Sequence, residues 1–245
     1  MINWFKVVVA VMTAGFLLGG MTTAAAARQQ RVLVVSEARG FVHDSIPAAV
    51  SFFRELGRRS PRYEVVHLRG GATTLTRARL RDADGVVFAN TSGELPLPDR
   101  VALLRFVRSG GALVGTHSAS DTFHAWPSWG RMLGATFRRH GTPATGRLVV
   151  RGRRHPATRR LPASFRLREE FYEFNSAPQR GTRVLLTLDP RSIGDELRSS
   201  IPLAWSRRYG RGRVFYNALG HFSGTWSDPR HRRLVADGLR WALKL

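Results

Sequence analysis

Apolar and polar residues are arranged along the first part of the chain in blocks that alternately predict strands and helices. Near-continuous apolar runs, typical of strands buried on both faces, occur at residues 31–36 (RVLVVS), 63–68 (YEVVHL), 84–90 (DGVVFAN) and 111–116 (GALVGT). Ser45 is expected to cap a helix over 46–57, and the apolar spacing of 98–108 predicts an amphipathic helix. Strands that alternate with helices predict βαβ units and a doubly wound α/β sheet.

The pattern changes after Thr145, where strands follow one another without long helices. Predicted strands are 146–152 (GRLVVRG), 165–174 (FRLREEFYEF), 183–189 (RVLLTLD), 201–210 (IPLAWSRRYG) and 212–218 (GRVFYNA). The chain then ends in a helix over 229–243, with Asp228 as its N-cap. A β-rich insertion is therefore expected before the last strand and helix of the α/β core.

Residues 1–27 have the features of a secretory signal peptide. Lys6 precedes an apolar run over 7–18, and four alanines at 24–27 provide a small-residue cleavage site. We expect cleavage after Ala27, a single domain over 28–245, and a secreted or extracytoplasmic location in the periplasm or cell wall. A retained membrane anchor is the alternative, but the apolar run is short of the roughly 20 residues that a span requires. No membrane span is expected after cleavage.

Composition removes several classes of chemistry. The 245 residues include no cysteine, which excludes disulfides, thiolate metal sites and a cysteine nucleophile. The formal net charge is +22, almost entirely from arginines spread along the whole chain. Because no nucleic-acid-binding module accompanies this charge, nucleic acid is not an expected partner. Attraction to acidic cell-wall polymers is a plausible consequence.

Polar side chains follow four of the predicted strands. His43 comes after the first, Asn90 after the third, His117 and Ser118 after the fourth, and His221 after the strand at 212–218. In an open α/β sheet, ligands bind beyond the carboxyl ends of the strands. The sequence therefore predicts that three histidines from distant segments meet in one crevice.

Several segments, in this order, resemble the ThuA-like family, which is named for a trehalose-utilisation protein. They are GFVHDSI, GGALVGTHSASDTF, WPSWGRMLGATF, HPATRRLP, EEFYEF and GRVFYNALGHF, and they span most of residues 31–243. The resemblance implies a flavodoxin-like sheet of the class I glutamine amidotransferase type. It also implies a role in carbohydrate metabolism, notably the handling of 3-keto-glycosides made by partner dehydrogenases.

The resemblance implies that His117 or a neighbour stands where glutamine amidotransferases carry their nucleophilic cysteine. Because the chain has no cysteine, thiol-based amidotransferase chemistry is excluded. Ser118 is a poor nucleophile candidate, because Gly115 and Ser120 do not provide the G-x-S-x-G spacing of a nucleophile elbow. His117 is instead expected to act as a general acid/base or as a metal ligand.

The predicted chemistry is the removal of a proton beside a ketone, with the expulsion of a glycosidic oxygen. His117, His43 and His221 can share the roles of base, acid and carbonyl-polarising group, and Glu170 or its neighbour Glu169 can supply a carboxylate. The same three histidines can instead hold a divalent ion such as zinc or manganese, which would polarise the ketone directly.

Substrate binding is expected from Asn90, Ser118 and Asp121, with Asp121 either orienting His117 or capping the next segment. Trp126 and Trp129 are interpreted either as a sugar-stacking platform or as a hydrophobic anchor for the following helix.

The remaining histidines have simpler interpretations. His67, His124 and His231 are expected to face solvent, and His155 to shape a turn with Pro156. Relatives tend to have His-Pro where this chain has His140-Gly141, so no role is assigned to His140.

The predicted function is the hydrolysis, elimination or other processing of a 3-keto or oxidised glycoside by an exported protein. Two alternatives remain open at this point. One is a non-catalytic carbohydrate-binding protein, and the other is a basic surface protein that binds acidic polysaccharide.

Overall fold

The computed structural model of the protein describes Met1 and residues 28–176, 178–195 and 200–245. The predicted signal peptide therefore lies outside the described residues, apart from Met1. The strands of the described residues are β1 (Gln30–Val35), β2 (Tyr63–His67), β3 (Gly85–Ala89), β4 (Ala112–Thr116), β5 (Phe137–His140), β6 (Ala144–Val150), β7 (Ser164–Glu169), β8 (Tyr172–Phe174), β9 (Arg183–Asp189), β10 (Ile201–Tyr209) and β11 (Gly212–Asn217). The helices are α1 (Ile46–Arg58), α2 (Arg77–Arg81), α3 (Arg100–Arg108), α4 (Pro127–Leu133) and α5 (Pro229–Ala242).

A nine-stranded sheet in the order β2-β1-β3-β4-β11-β10-β9-β6-β7 forms the centre of the molecule. The five strands from β2 to β11 run parallel, as their apolar sequences predict, and β3 and β4 are buried along their full length. The other four strands extend this sheet in antiparallel fashion. The predicted flavodoxin-like core and β-rich insertion are both present.

The segment predicted as one strand over 165–174 is broken in the structure. β7 ends at Glu169 inside the large sheet, and β8 begins at Tyr172 and pairs with β5 in a separate two-stranded sheet. Glu170 and Phe171 make the crossing between the two sheets. The break separates two adjacent glutamates, which then have different environments.

Two helix starts differ from prediction. α1 begins after Ser45, but the Ser45 hydroxyl does not cap it; the hydroxyl is buried and accepts a hydrogen bond from Asn90 Nδ2 at 2.9 Å. α3 begins at Arg100, two residues later than expected, because the Asp99 carboxylate accepts from Ala102 N. The predicted Asp228 cap of α5 is confirmed by hydrogen bonds from Arg230 N and His231 N.

Two of the three histidines expected to face solvent are not fully exposed. His231 is completely buried, where its Nε2 accepts from Asn217 Nδ2 at 3.1 Å. His67 is half-buried against the Ser36 hydroxyl, and only His124 is exposed. α5 places the His231 ring against the Trp226 ring, with 4.8 Å between the ring centroids. The local sequence around His231 does not predict this contact.

Replacement of His231 is expected to weaken the acid sensitivity of the fold. Burial lowers the pKa of His231 from its ordinary value of 6.5 to about 4. The unfolded chain therefore binds a proton at this site below pH 6.5, whereas the folded chain does not until about pH 4. The free energy of unfolding consequently falls as the pH drops through this window, by about 3 kcal/mol for this group.

Urea unfolding of the His231→Gln variant between pH 7 and pH 4 should show a shallower loss of stability than the parent protein. The matched control is His124→Gln, which removes an exposed imidazole. Equal slopes for both variants would contradict the assignment.

Candidate active site

The carboxyl ends of β1, β4 and β11 bring the three predicted histidines together. The ring centroids of His43 and His117 are 4.5 Å apart, those of His43 and His221 are 5.3 Å apart, and those of His117 and His221 are 5.4 Å apart. His43 and His117 are buried, and His221 is half-buried. We call these three residues, together with Glu170, the histidine cluster.

The orientation of His117 is fixed by backbone groups. It is the first residue of a 3₁₀ turn over His117–Asp121 and has a φ of 45°, an uncommon conformation for a residue with a side chain. Its Nδ1 lies 2.8 Å from the carbonyl oxygen of Ala218, and its own carbonyl accepts from the Tyr216 hydroxyl at 2.6 Å. Because a carbonyl can only accept, Nδ1 carries the proton and Nε2 presents a lone pair.

Three further polar groups surround that lone pair. His43 Nε2 lies 3.0 Å from His117 Nε2, the Tyr172 hydroxyl lies 3.1 Å away, and Glu170 Oε2 lies 3.8 Å away. On its other side, His43 Nδ1 is 3.4 Å from the Ser118 hydroxyl. Both contacts of His43 allow its Nε2 to present a second lone pair, because a Ser118 hydroxyl can accept from Nδ1. Two facing lone pairs 3.0 Å apart with a carboxylate nearby favour a positively charged centre among them.

Glu170 links the cluster to the protein surface. Its Oε2 lies 3.2 Å from His221 Nδ1, and its Oε1 lies 3.1 Å from Nδ1 of the half-exposed His140. Burial acts to raise the pKa of Glu170, but the neighbouring imidazoles outweigh it, so the pKa lies below its ordinary value. The carboxylate is therefore ionised at neutral pH.

The histidines of the cluster have opposite proton affinities. Burial, followed by the charge of His221, lowers the pKa of His43 to about 4, and burial lowers the pKa of His117 well below its ordinary value. The Glu170 carboxylate raises the pKa of His221 against the effect of burial. His43 and His117 are thus neutral near pH 7, with their lone pairs available, but they are too weakly basic to serve as efficient proton acceptors.

These properties fit a divalent metal ion. One ligand atom from each member of the histidine cluster lies within 4.8 Å of the others. His221 Nδ1 is buried and pairs with Glu170 Oε2 at 3.2 Å, with no other polar partner among the described residues. A hydrogen bond from the far ring nitrogen to a backbone carbonyl, as His117 makes to Ala218, is the usual support of a metal-bound imidazole. Three nitrogens and one carboxylate suit zinc or manganese.

Glu169 has a different role from Glu170. Its buried carboxylate accepts from Gly220 N and His221 N, each at 3.1 Å, and from the Thr225 hydroxyl. Burial raises the pKa of Glu169 to about 7, while these hydrogen bonds act in the opposite direction. Glu169 therefore positions the turn that carries His221, and only Glu170 enters the cluster.

Two of the residues expected to bind substrate are occupied by protein contacts. The amide of Asn90 is fully buried, donates to Ser45 and to the carbonyl of Gly220, each at 2.9 Å, and accepts from Thr116 at 2.8 Å. Asn90 thus ties three loops together beneath the cluster and has no free donor for a ligand. Asp121 does not orient His117; its carboxylate pairs with His124 at 2.7 Å. Ser118, the third of these residues, remains beside His43.

Trp126 and Trp129 do not together form the sugar-stacking platform that the sequence allowed. Trp129 is fully buried and donates its indole N–H to the Ala119 carbonyl at 3.0 Å, so its ring has no face open to a sugar. Trp126 is half-buried against Trp129 and Phe123. The anchor interpretation therefore holds for Trp129, which packs α4 against the sheet.

Sequence reasoning missed two residues at the cluster. Tyr172, from the motif EEFYEF, reaches His117 because the chain breaks after Glu169 and turns into β8. His140, to which no role was assigned, stacks on Tyr172 with its Nδ1 near Glu170. The departure from His-Pro therefore does not remove His140 from the site, because β5 pairs with β8 directly beside it.

The fold and the cluster define a flavodoxin-like α/β protein with a histidine-carboxylate site at the carboxyl edge of its sheet. The ThuA family, described as "Trehalose utilisation", matches residues 31–242. The chain therefore belongs to the ThuA family, whose description places it in carbohydrate utilisation.

Solved structures support the same assignment of the fold. A putative ThuA-like protein from Bacteroides uniformis is 22% identical with a TM-score of 0.75, covering 90% of this chain and 94% of its own. One from Parabacteroides merdae is 18% identical with a TM-score of 0.71, covering 88% and 90%. A cytoplasmic protein from Salmonella typhimurium is 14% identical with a TM-score of 0.62, covering 87% and 99%. No curated protein matches the chain.

Among the residues that the structure describes, no helix is both long enough and apolar enough to span a bilayer.

Removal of the Glu169 carboxylate should both destabilise the fold and displace His221. Glu169→Ala leaves two backbone amides and the Thr225 hydroxyl without their acceptor, at a cost on the order of 3 kcal/mol in the free energy of unfolding. Glu169→Gln keeps one oxygen and should recover part of this loss. The measurements are urea unfolding and the NMR titration of His221, both in protein freed of metal with a chelator. The pKa of His221 should return toward its ordinary value in Glu169→Ala.

The control is Glu64→Ala, which removes a surface carboxylate paired with Arg31 and should cost at most about 1 kcal/mol. An unchanged His221 titration in Glu169→Ala would rule out the positioning role.

Proposed function

We propose that this protein is an enzyme that processes an oxidised glycoside, with a 3-keto sugar as its substrate, by elimination or hydrolysis at the histidine cluster. The observation that supports this most strongly is the convergence of His43, His117, His221 and Glu170 at one strand edge, with two of the imidazoles kept neutral by burial. Membership of a family described by trehalose utilisation supports a sugar substrate.

The cluster residues would hold a divalent ion, and a bound ion of this kind acts as a Lewis acid that polarises a ketone oxygen. His43 and His117 suit the role of metal ligand better than that of a base. Burial lowers the pKa of His43 to about 4 and lowers the pKa of His117 well below its ordinary value, so both accept a proton only weakly at pH 7. The ionised Glu170 would supply the negative charge that imidazole ligands lack.

Proton transfer is then assigned to residues at the edge of the cluster. His140 Nδ1 lies 2.9 Å from the Gly141 carbonyl and 3.1 Å from Glu170 Oε1, two groups that only accept, so Nδ1 carries the hydrogen. Its Nε2 is left with a lone pair, on a ring that is 41% exposed. Glu170 thereby orients His140 as the proposed general base.

In the proposed step, His140 takes the C2 proton that the neighbouring C3 ketone acidifies. The C–H electron pair forms a C1–C2 double bond, and the C1–O bond breaks with its electron pair on the departing oxygen. That oxygen takes up a proton from an acid at the site. Tyr172 suits a hydrogen-bond donor to developing negative charge, because burial raises its pKa well above the ordinary value and keeps it protonated. Addition of water to the double bond would complete hydrolysis.

The proposal includes export, which depends on the signal-peptide pattern of residues 1–27 and stays a prediction. Attraction to acidic cell-wall polymers likewise depends on the net charge of +22. Neither property affects the chemistry assigned to the cluster.

Loss of cluster histidines should remove both metal and turnover. We expect purified protein to contain about one equivalent of zinc or manganese and to convert a 3-keto-glycoside. His117→Ala and His221→Ala should each lower the metal content and reduce kcat by 10²-fold or more, on the order of what a catalytic metal or acid/base group contributes. Elemental analysis and a turnover assay provide the two measurements, with His124→Ala as the control outside the cluster.

Turnover that survives both substitutions would exclude the catalytic proposal. Tight sugar binding without turnover in the parent protein would favour the non-catalytic carbohydrate-binding alternative. Salt-sensitive retention on an acidic polysaccharide, with no sugar binding, would favour the basic surface protein.

Replacement of His140 should separate proton transfer from metal binding. His140→Gln should reduce kcat by about 10²-fold or more, the usual contribution of a general base, while the metal content stays at the parental level. His124→Gln is a matched control, since His124 is also exposed and also pairs with a carboxylate. A His140→Gln variant with parental kcat would show that another group takes the proton.

A further inference from the structure

Two adjacent large apolar side chains are exposed beside the histidine cluster. Phe41 is 66% exposed and Val42 is 64% exposed, and both immediately precede His43. Other exposed large apolar residues among the described ones, such as Val66 and Val101, are not next to one another in the chain. Isolated exposed apolar residues are ordinary, but a pair at the mouth of a candidate site indicates a surface for a ligand.

The loop that carries this pair is held firmly in place. Ser92 O accepts from Arg39 N at 2.9 Å and from Gly40 N at 3.4 Å, and the Ser92 hydroxyl donates to Phe41 O at 2.7 Å. Gly93 has a φ of 74°, and a Cβ there would lie 2.5 Å from Gly40 N. The two loops therefore pack backbone against backbone, and Phe41 is presented from a preorganised position.

Phe41 also lies close to the groups that would carry the chemistry. Its ring centroid is 4.7 Å from that of His43, with an angle of 72° between the planes, and His43 in turn contacts His117. A ligand bound at the His43 imidazole can therefore contact the Phe41 ring.

The other phenylalanine at the cluster is already covered. Phe222 lies with its ring centroid 4.6 Å from that of His221, and the guanidinium of Arg168 sits 4.4 Å above its ring. Phe222 is only partly exposed, whereas Phe41 keeps two thirds of its surface open. Of the two rings, Phe41 is therefore the better platform.

We propose that Phe41, flanked by Val42, is the stacking platform for the pyranose ring of the substrate. One face of a pyranose presents C–H groups, which pack on an aromatic ring in preference to water. This inference rests on the proposed function, because it names the substrate contact of the same site. It assigns to Phe41 the role that the buried Trp129 cannot perform.

The test measures both turnover and binding. Phe41→Ala should raise KM for a 3-keto-glycoside about tenfold, equivalent to about 1.4 kcal/mol, with kcat within twofold and metal content unchanged. The same variant should weaken binding of an unreactive methyl glucopyranoside, measured by saturation-transfer NMR, to a similar extent. Phe41→Trp should bind at least as well as the parent, and Val66→Ala, at an exposed apolar residue of the edge strand β2, is the control.

The outcomes separate this inference from the proposed function. If the parent binds the glucopyranoside without turning over the keto-glycoside, and Phe41→Ala weakens that binding, the platform stands while the catalytic proposal fails. If turnover occurs and Phe41→Ala leaves both KM and binding unchanged, the stacking role of Phe41 is disproved, whereas the proposed catalytic function is retained. A parent protein that binds no glycoside overturns the platform as well.

Discussion

The burial of imidazole rings at the carboxyl edge of the sheet is the constraint on which the rest of the site depends. His43 and His117 are enclosed by strand ends and loops, so their charged forms are disfavoured and their lone pairs remain free. An ionised carboxylate, Glu170, completes the group. Neutral nitrogens and one carboxylate at short range are potential ligands for a cation, and on this basis we propose metal binding rather than proton transfer by the buried imidazoles.

This arrangement requires that the loops around it be rigid, and the structure uses buried polar groups for that purpose. Asn90 joins the loops after β1, β3 and β11, and Glu169 holds the turn before His221 through two backbone amides. Each of these side chains is satisfied by the protein itself. The polar residues at this strand edge thus divide into the histidine cluster, for which we propose ligand binding, and the residues that hold the cluster in position.

Much of the fold could be predicted from sequence because it depends on local pattern. The apolar runs of β1, β3 and β4 are long enough to indicate strands buried on both faces, and Asp228 followed by proline indicates the start of α5. The meeting of His43, His117 and His221 followed from a topological rule, since parallel strands end at the same edge. One error came where a single segment served two sheets, at residues 165–174, because periodicity shows no break there.

By itself, the sequence determined the parallel core, the absence of thiol chemistry and the candidate histidines, because these depend on residue type and on order along the chain. Only the tertiary structure decided which side chains remain available to contact a ligand. Trp129 and Asn90 are used by the protein, whereas His140, Tyr172 and Phe41 reach the cluster. The physical reason is that hydrogen-bond partners and solvent exposure are set by neighbours distant in the chain, which no local pattern of residues records.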